Sequence, residues 1–529
     1  MREYRTSLLL PRCAMSRTYL ICLALLLCNL PIATAIAEEA GDRAAQMTAR
    51  IDQLLLERLA SAGVEPAPAA DDGEFLRRAY LDLNGTIPPV AIARDYLADS
   101  SPDKRRKLID RLLASPAFAS HLASTWREVI LKPTEDFQQL QNQFALQAWL
   151  RDQFADNARY DRIVEQFITA SSERDGPVYF YDSLDLKPEQ LAAETSRIFL
   201  GLHIQCAECH DHPFDSWKQR DFWGYAAFFA RVEKQDGNMG RLSVVDRESG
   251  EVKIPESDET VAPLYPGGGE PSNRFGGTRR QKLAVWMVAR DNPYTARRAV
   301  NWAWAHLFGR GLVEPVDDLS PINAPSHPEL MDELTQYFIE SGFDLRELLR
   351  TIALTDAYAR SSQSVEGQRP ELFAGMAIKS LSPEQLYDSI LRLGLIKEEV
   401  ADPNGQPGLL ANQSQQRLQF VARMRTVSLD RTDFETGAPQ ALALMNGPPV
   451  ALATAPETSG FLKSLEAPFF SDEQRVELIA LAAYSRKPTD DERQRFGEYL
   501  AAASPNEKKQ ALGDLLWAVA ASAEFMLNH

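Results

Sequence analysis

The chain has 529 residues, 44 % of them hydrophobic and 25 % charged, with a formal net charge of −17. It is long enough for two or three domains, and its acidity makes nucleic acid a poor partner. With five cysteines in 529 residues, no disulfide framework organises the fold.

At the N-terminus, Arg2, Arg5, Arg12 and Arg17 precede an apolar run from Tyr19 to Leu30, and Ala33, Ala35 and Ala37 come next, before Glu38. This is the pattern of a secretory signal peptide over residues 1–37, starting at Met1 or Met15. The run is short for a membrane span and ends at Pro31, so no stable span is expected after cleavage. Leu27 rather than a small residue precedes Cys28, which argues against a lipid anchor. The segment holds four Arg against Glu3, so removing its charge of +3 leaves about −20 on the remaining chain. Cys13, Cys22 and Cys28 leave with it, and Cys206 and Cys209 remain. The expected location is periplasmic or extracellular.

Helical periodicity dominates the chain beyond residue 37. Ile51, Leu54, Leu55 and Leu59 recur at helical spacing before a stop at Gly63, and Phe75, Leu76, Ala79, Tyr80 and Leu83 repeat the pattern before Gly85. Ser101-Pro102 reads as an N-cap and first-turn proline ahead of Leu108, Ile109, Leu112 and Leu113. Pro188 opens a helix that ends near Leu200, where Gly201 turns the chain into Cys206-Ala207-Glu208-Cys209-His210.

Two thiols two residues apart, with an imidazole immediately after them, form the attachment pattern of a c-type haem. The sulfurs supply thioethers to the porphyrin and His210 supplies a ring nitrogen to the iron. His203, His210 and His212 lie within ten residues of one another. The same spacing also suits a zinc or iron site built from Cys206, Cys209, His210 and His212, or a disulfide between the two cysteines. Trp217, Phe222, Trp223, Tyr225, Phe228 and Phe229 form an aromatic-rich helix that suits a haem crevice and core packing equally. Distal-ligand candidates are His306, Met239 and His327, none selected by spacing, and a core role for His306 competes with ligation.

Arg241 to Val245 and Glu251 to Ile254 flank a turn at Ser249-Gly250 and read as a hairpin, and Pro266 to Gly277 reads as a linker. Beyond it, Arg298, Trp302 and His306 share a helix face, and Leu334, Tyr337 and Phe338 precede a stop at Gly342. Ser382 to Gln385, Ser471 to Gln474 and Thr489 to Glu492 are three capping boxes, so their carboxylates need no catalytic explanation. The fold class expected is mainly α: an N-terminal helical domain over 45–232, a hairpin and Gly-rich linker over 233–277, and a C-terminal helical domain over 278–529. No G-x-S-x-G, phosphate-binding Gly-rich loop or H-E-x-x-H occurs.

Three blocks, Phe75-Leu-Arg-Arg-Ala-Tyr-Leu-Asp-Leu-Asn-Gly-Thr-Ile-Pro-Pro89, Leu112-Leu-Ala-Ser-Pro116 and Cys206-Ala-Glu-Cys-His-Asp-His-Pro-Phe-Asp215, resemble domain of unknown function 1549. Asn292-Pro293, the run Val300 to Asp318, Ser326-His-Pro-Glu-Leu330, Gly342-Phe-Asp-Leu345, Pro439 to Asn446 and Glu524-Phe525 resemble its companion, domain of unknown function 1553. The resemblance implies an exported, cytochrome-associated protein of planctomycete type, in a setting of polysaccharide breakdown, and assigns no substrate. Without a second C-x-x-C-H, electrons would have to reach a redox partner protein. Two readings stand: a covalent haem c protein in electron transfer or an oxidoreductase reaction, and a non-enzymatic binding or assembly protein with a Cys/His metal or disulfide staple. Whether the chain is catalytic stays open between them.

Overall fold

The computed structural model describes residues 41–529, except 133, 135, 173–174, 214, 237–241, 258, 273–275, 368, 397–414, 425–431 and 433–437. The expected signal peptide and Met239 therefore lie outside the described residues. The fold is mainly α, with three small two-stranded antiparallel sheets among the described residues. No helix of the described residues is long and apolar enough to cross a membrane.

Helix α1 spans 41–62 and stops at Gly63, whose φ of 67° is left-handed. Next come α2 (Asp72–Asn84), α3 (Val90–Ala98), α4 (Lys104–Leu113), α5 (Pro116–Ile130), α6 (Phe137–Ala155), α7 (Tyr160–Thr169), α8 (Val178–Ser183) and α9 (Pro188–Thr195). After the cysteine motif come α10 (Gln219–Ala226), the pair β1 (Val232–Asp236) and β2 (Leu242–Asp246), and the pair β3 (Val252–Lys253) and β4 (Thr260–Val261). The second half holds α11 (Arg279–Met287), α12 (Thr295–Phe308), α13 (Pro328–Glu340), α14 (Leu345–Ala353), β5 (Lys379–Ser380) and α15 (Pro383–Leu393). It continues with α16 (Gln415–Met424), α17 (Ala438–Asn446), α18 (Pro448–Thr454), α19 (Gly460–Leu465), α20 (Asp472–Tyr484), α21 (Asp490–Ala502), α22 (Lys508–Ala520), α23 (Ala523–Met526) and β6 (Leu527–Asn528), which pairs with β5.

Helix α2 organises these elements. It starts where the Asp71 carboxylate accepts the Glu74 N–H at 2.9 Å. It ends at Gly85, with φ 70° and a Cβ position only 2.5 Å from His121 Nδ1, so only glycine fits. Ten of its thirteen residues are buried, which is the mark of a helix enclosed on all sides. Phe75, Leu76, Ala79, Tyr80 and Leu83 enter one apolar core that takes residues from Met47 to Leu481, on both sides of the Gly-rich segment. Leu81 and Ile87 enter a second core, formed otherwise by residues 381–525.

The same helix carries Arg77, Arg78 and Asp82, all fully buried, and each bonds chain from the second half. Arg77 Nη1 donates to Ala483 O at 2.7 Å and its Nη2 to Phe525 O at 2.8 Å. Arg78 Nη1 donates to the carbonyls of Tyr358 and Arg360, and its Nη2 to Glu74. Asp82 accepts from Lys379 Nζ (2.7 Å), Asn528 Nδ2 (2.7 Å) and the Tyr358 hydroxyl (3.0 Å). Lys379 also donates to Leu307 O at the C-terminal end of α12, where the helix dipole favours a cation. Burial alone would push these guanidinium groups toward deprotonation, and it lowers Arg77 to about 10. The carbonyl cage offsets that cost.

The glycine stops and all three capping boxes form as expected. Two expectations fail. Ser101 does not cap α4: its N–H and hydroxyl both bond Asp99 Oδ1, and the helix begins after Asp103. Of the expected hairpin, residues 242–245 do not pair with 251–254 either, because β2 turns back on β1, with Val232 opposite Asp246, while β3 pairs forward with β4. The cause is tertiary. Gly250 packs against Ala230 O, 2.6 Å from where its Cβ would be, and Arg231 and Arg279 both hold Glu251, tying the supposed turn to the start of β1 and to α11.

Replacing one member of the buried pair leaves an unpaired charge in the core. Lys379→Met is expected to destabilise the chain by about 3–5 kcal/mol, and the double variant Asp82→Asn/Lys379→Met by clearly less than the sum of the two single changes. Chemical denaturation of the four proteins measures this.

Candidate functional site

The motif loop is set by what comes before it. Pro188 opens α9, which widens into a π-helical turn over Ser196–Leu200 and closes at Gly201 with φ 66°. A Cβ there would meet Leu319 at 2.8 Å and Arg298 at 3.0 Å, and Gly201 O accepts the Leu319 N–H at 2.8 Å. The chain then makes a 3₁₀ turn, Ile204–Glu208. In a 3₁₀ turn residues three apart eclipse one another. Ile204 and Ala207 accordingly share the buried side, and Cys206 and Cys209 lie outside, both exposed and unpaired.

The far side of the loop is clamped by α10. Gln219 Nε2 donates to Glu208 O (3.1 Å) and Cys209 O (3.0 Å), and Trp223 Nε1 donates to Glu208 O (3.0 Å). Asp211 accepts the Gln219 N–H at 3.0 Å, and this bond together with Lys218 holds its carboxyl below the usual range.

The two neighbouring histidines have opposite hydrogen-bonding roles. His210 is exposed and its Nδ1 lies 2.7 Å from Asp211 O. Only a donor can face a carbonyl, so this partner assigns the proton to Nδ1 and leaves the Nε2 lone pair of the neutral ring available. His212 Nδ1 instead accepts the Asp215 N–H at 2.9 Å, which places the proton of its neutral ring on Nε2. His210 thus has the arrangement of a metal-ligating imidazole, with its second nitrogen donating to a carbonyl, and His212 does not. Among the described residues no three His, Cys, Asp or Glu side chains converge as a metal-ligand set.

Two accessible thiols on one side of a turn, next to an imidazole with Nε2 available, fit covalent haem attachment. The aromatic helix does not form an open wall: Trp217, Phe222, Trp223, Tyr225, Phe228 and Phe229 are all buried, so core packing accounts for them. A half-buried ladder that sequence reasoning missed lies beyond them. Tyr265 stacks on Phe228 and on Trp286 at 5.1 and 4.9 Å, and Trp286 meets Tyr294 at 6.2 Å. Leu264 N–H bonding Gly224 O brings this ladder against α10. Its members come from the linker and from the start of the second half, so no local pattern joins them.

Of the distal candidates, His306 is a core residue. Its ring stacks on Trp302 at 5.2 Å and its Nε2 bonds Asp82 O at 2.8 Å. His327 is buried beside Phe373 with Nδ1 on Ser326 Oγ, and burial lowers its pKa to about 4.

A clamp at the entry to the loop was also missed. His203 Nε2 lies 3.4 Å from Asp317, which also takes Arg197 Nη1 at 2.9 Å. The bond to Asp317 raises the His203 pKa against the effect of burial. Burial opposes ionisation of Asp317, yet His203 and Arg197 hold its carboxyl well below the ordinary range. The stability from His203 is complete below the unfolded imidazole pKa and is lost as pH rises through the raised folded value. That from Asp317 is present above the unfolded carboxylate pKa and is lost as pH falls. An NMR titration is expected to show His203 holding its proton to higher pH than an unpaired histidine, and Asp317→Asn is expected to lower that midpoint; an unchanged midpoint would refute the clamp.

Residues 50–234 match the family described as protein of unknown function DUF1549 (PSCyt2), and residues 279–427 match that described as protein of unknown function DUF1553 (PSD1). No curated protein and no solved structure matches the chain. The motif loop belongs to the first matched region, while its Asp317 clamp and the Lys379 partner of α2 belong to the second, so the chain is a member of the proteins that combine DUF1549 with DUF1553.

Proposed function

We propose that this chain is an exported c-type haem protein acting in electron transfer or an oxidoreductase reaction. Cys206 and Cys209 would form the thioethers, and His210 Nε2 would supply a ring nitrogen to the iron. The observation that carries the reading is the His210 Nδ1 contact with Asp211 O beside two exposed thiols on one side of a turn. The haem, when bound, would supply one-electron redox chemistry.

The chain's own contribution is positioning. Gln219 and Trp223 fix the backbone beneath the thiols, and the Asp211 carbonyl orients the His210 ring. Cys206, Cys209 and His210 are exposed, which supports transfer to a redox partner protein that approaches from solvent. The exposed pair also supports the second reading, a disulfide staple in a binding or assembly protein, because the thiols share one side of the turn.

Protein matured with cytochrome c maturation machinery is expected to give a haem-staining band on denaturing gels, absent from Cys206→Ala/Cys209→Ala. His212→Ala should keep covalent haem, while His210→Ala should lose the normal haem spectrum. A haem-free wild type, with a control cytochrome matured in parallel, would overturn the proposal: a Cys206–Cys209 disulfide would then favour the staple, and near-stoichiometric zinc or iron lost in both histidine variants would favour a metal centre.

A further inference from the structure

Helices α21 and α22 pack on the second apolar core by one side only. Leu500 is the only buried residue of α21, and α22 buries Ala511, Leu512, Leu515 and Leu516. Gln510, Asp514 and Trp517 stand at i, i+4 and i+7 of α22, on its other side. Where the two helices and their connecting loop meet there is an open cleft of about 340 Å³, lined by Tyr499, three alanines, Glu507, Gln510 and Asp514. That volume is in the range of ligand-binding clefts.

The cleft is acidic. The Tyr499 hydroxyl donates to Asp514 Oδ2 at 2.8 Å and Gln510 Nε2 donates to Oδ1 at 2.9 Å, which fixes this carboxylate in place. The Ser504 hydroxyl donates to Glu507 Oε2 at 2.6 Å and holds that carboxyl below its usual range. Among the described residues no lysine or arginine lines the cleft. Lys508 and Lys509, next in sequence, are taken by Asp472 at 2.6 Å and by Glu466 at 2.7 Å. Two carboxylates beside an aromatic ring therefore meet solvent with no cation in the cleft.

An apolar strip continues from the cleft. Trp517 lies one turn beyond Asp514, its Nε1 donates to Met445 O at 2.9 Å, and Leu442 precedes Met445 by one turn of α17. Tyr499, Trp517, Met445 and Leu442 are 46, 37, 46 and 60 % exposed. Single exposed apolar residues are ordinary on a protein surface, whereas a connected run of them along an open cleft marks a contact surface.

We propose that this face of α17, α21 and α22 docks a basic amphipathic helix of a partner protein. A lysine or arginine of that helix enters the cleft between the Tyr499 ring and the carboxylates of Glu507 and Asp514, and its apolar residues cover Trp517, Met445 and Leu442. Charge selects this occupant. A neutral saccharide would stack on the two rings but leave both carboxylates uncompensated. An anionic membrane surface is repelled, and so is a second copy of a chain whose net charge is −17. The face uses no residue of the cysteine motif, so the proposal does not depend on haem.

The test uses the full chain with three fluorescein-labelled probes: an amphipathic helical peptide of leucine, alanine and lysine, the same peptide with glutamate for lysine, and a maltooligosaccharide. Fluorescence polarisation is expected to show saturable binding of the lysine peptide alone. Asp514→Asn, which keeps the shape of the side chain and removes its charge, and Trp517→Ala are each expected to weaken that binding about tenfold. Val285→Ser and Asp152→Asn, exposed on α11 and α6, should leave it unchanged. A benzophenone group on the lysine peptide should cross-link to α17 and α22, and circular dichroism of each variant separates lost folding from lost binding. Equal affinity in all four variants, cross-links confined to other elements, equal binding of the glutamate peptide, or binding of the oligosaccharide in place of the lysine peptide would overturn the proposal.

Discussion

A helix enclosed on every side by protein should be apolar, and α2 carries two arginines and an aspartate. The ion pair between Asp82 and Lys379, both without solvent exposure, is the constraint on which the rest of the structure depends. A buried charge of this kind is tolerated only with complete partners, and those partners come from far along the chain: Lys379 and Asn528 on the small sheet of β5 and β6, Tyr358 after α14, and His306 on α12, which bonds the Asp82 carbonyl. Arg77 and Arg78 hold carbonyls of the same second half. The helix feeds both apolar cores, so the halves on either side of the Gly-rich segment meet on it.

The cysteine motif is held at both ends. Its entry is tied through His203 and Asp317 to the loop after α12, and its exit is tied to α10. A flexible loop would lose conformational entropy whenever its thiols and imidazole were brought to one ligand. Here the backbone is already held, and the 3₁₀ register sets both sulfurs on the outer side. The hydrogen bonds of the adjacent histidines then distinguish them: one has an Nε2 suited to ligation, and the other is used inside the turn.

What could be read from the sequence was local. The glycine stops at Gly63, Gly85, Gly201 and Gly342, the three capping boxes and the mainly α class each depend on a few neighbouring residues. The motif was equally legible, since five consecutive residues carry it. Contacts across the chain were not. Ser101 is held by Asp99 two residues away instead of capping α4, and the hairpin changed partner because Gly250 packs on Ala230. Nothing in the pattern of α2 announced that Arg77, Arg78 and Asp82 are buried, because their partners lie about 280 to 450 positions away. The Tyr265–Trp286 ladder and the Asp317 clamp were hidden for the same reason.

Because α2 shares its apolar core and its buried ion pair with the second matched region, the two regions are expected to unfold as one cooperative unit. Native-state hydrogen exchange of the full chain, measured peptide by peptide with rising denaturant, tests this most directly. Peptides from α2, α12 and α20 should converge on one opening free energy and lose protection together. If α12 instead exchanges in a separate step at lower denaturant, while α2 keeps full protection, the helix is not the shared wall described and the two matched regions fold independently.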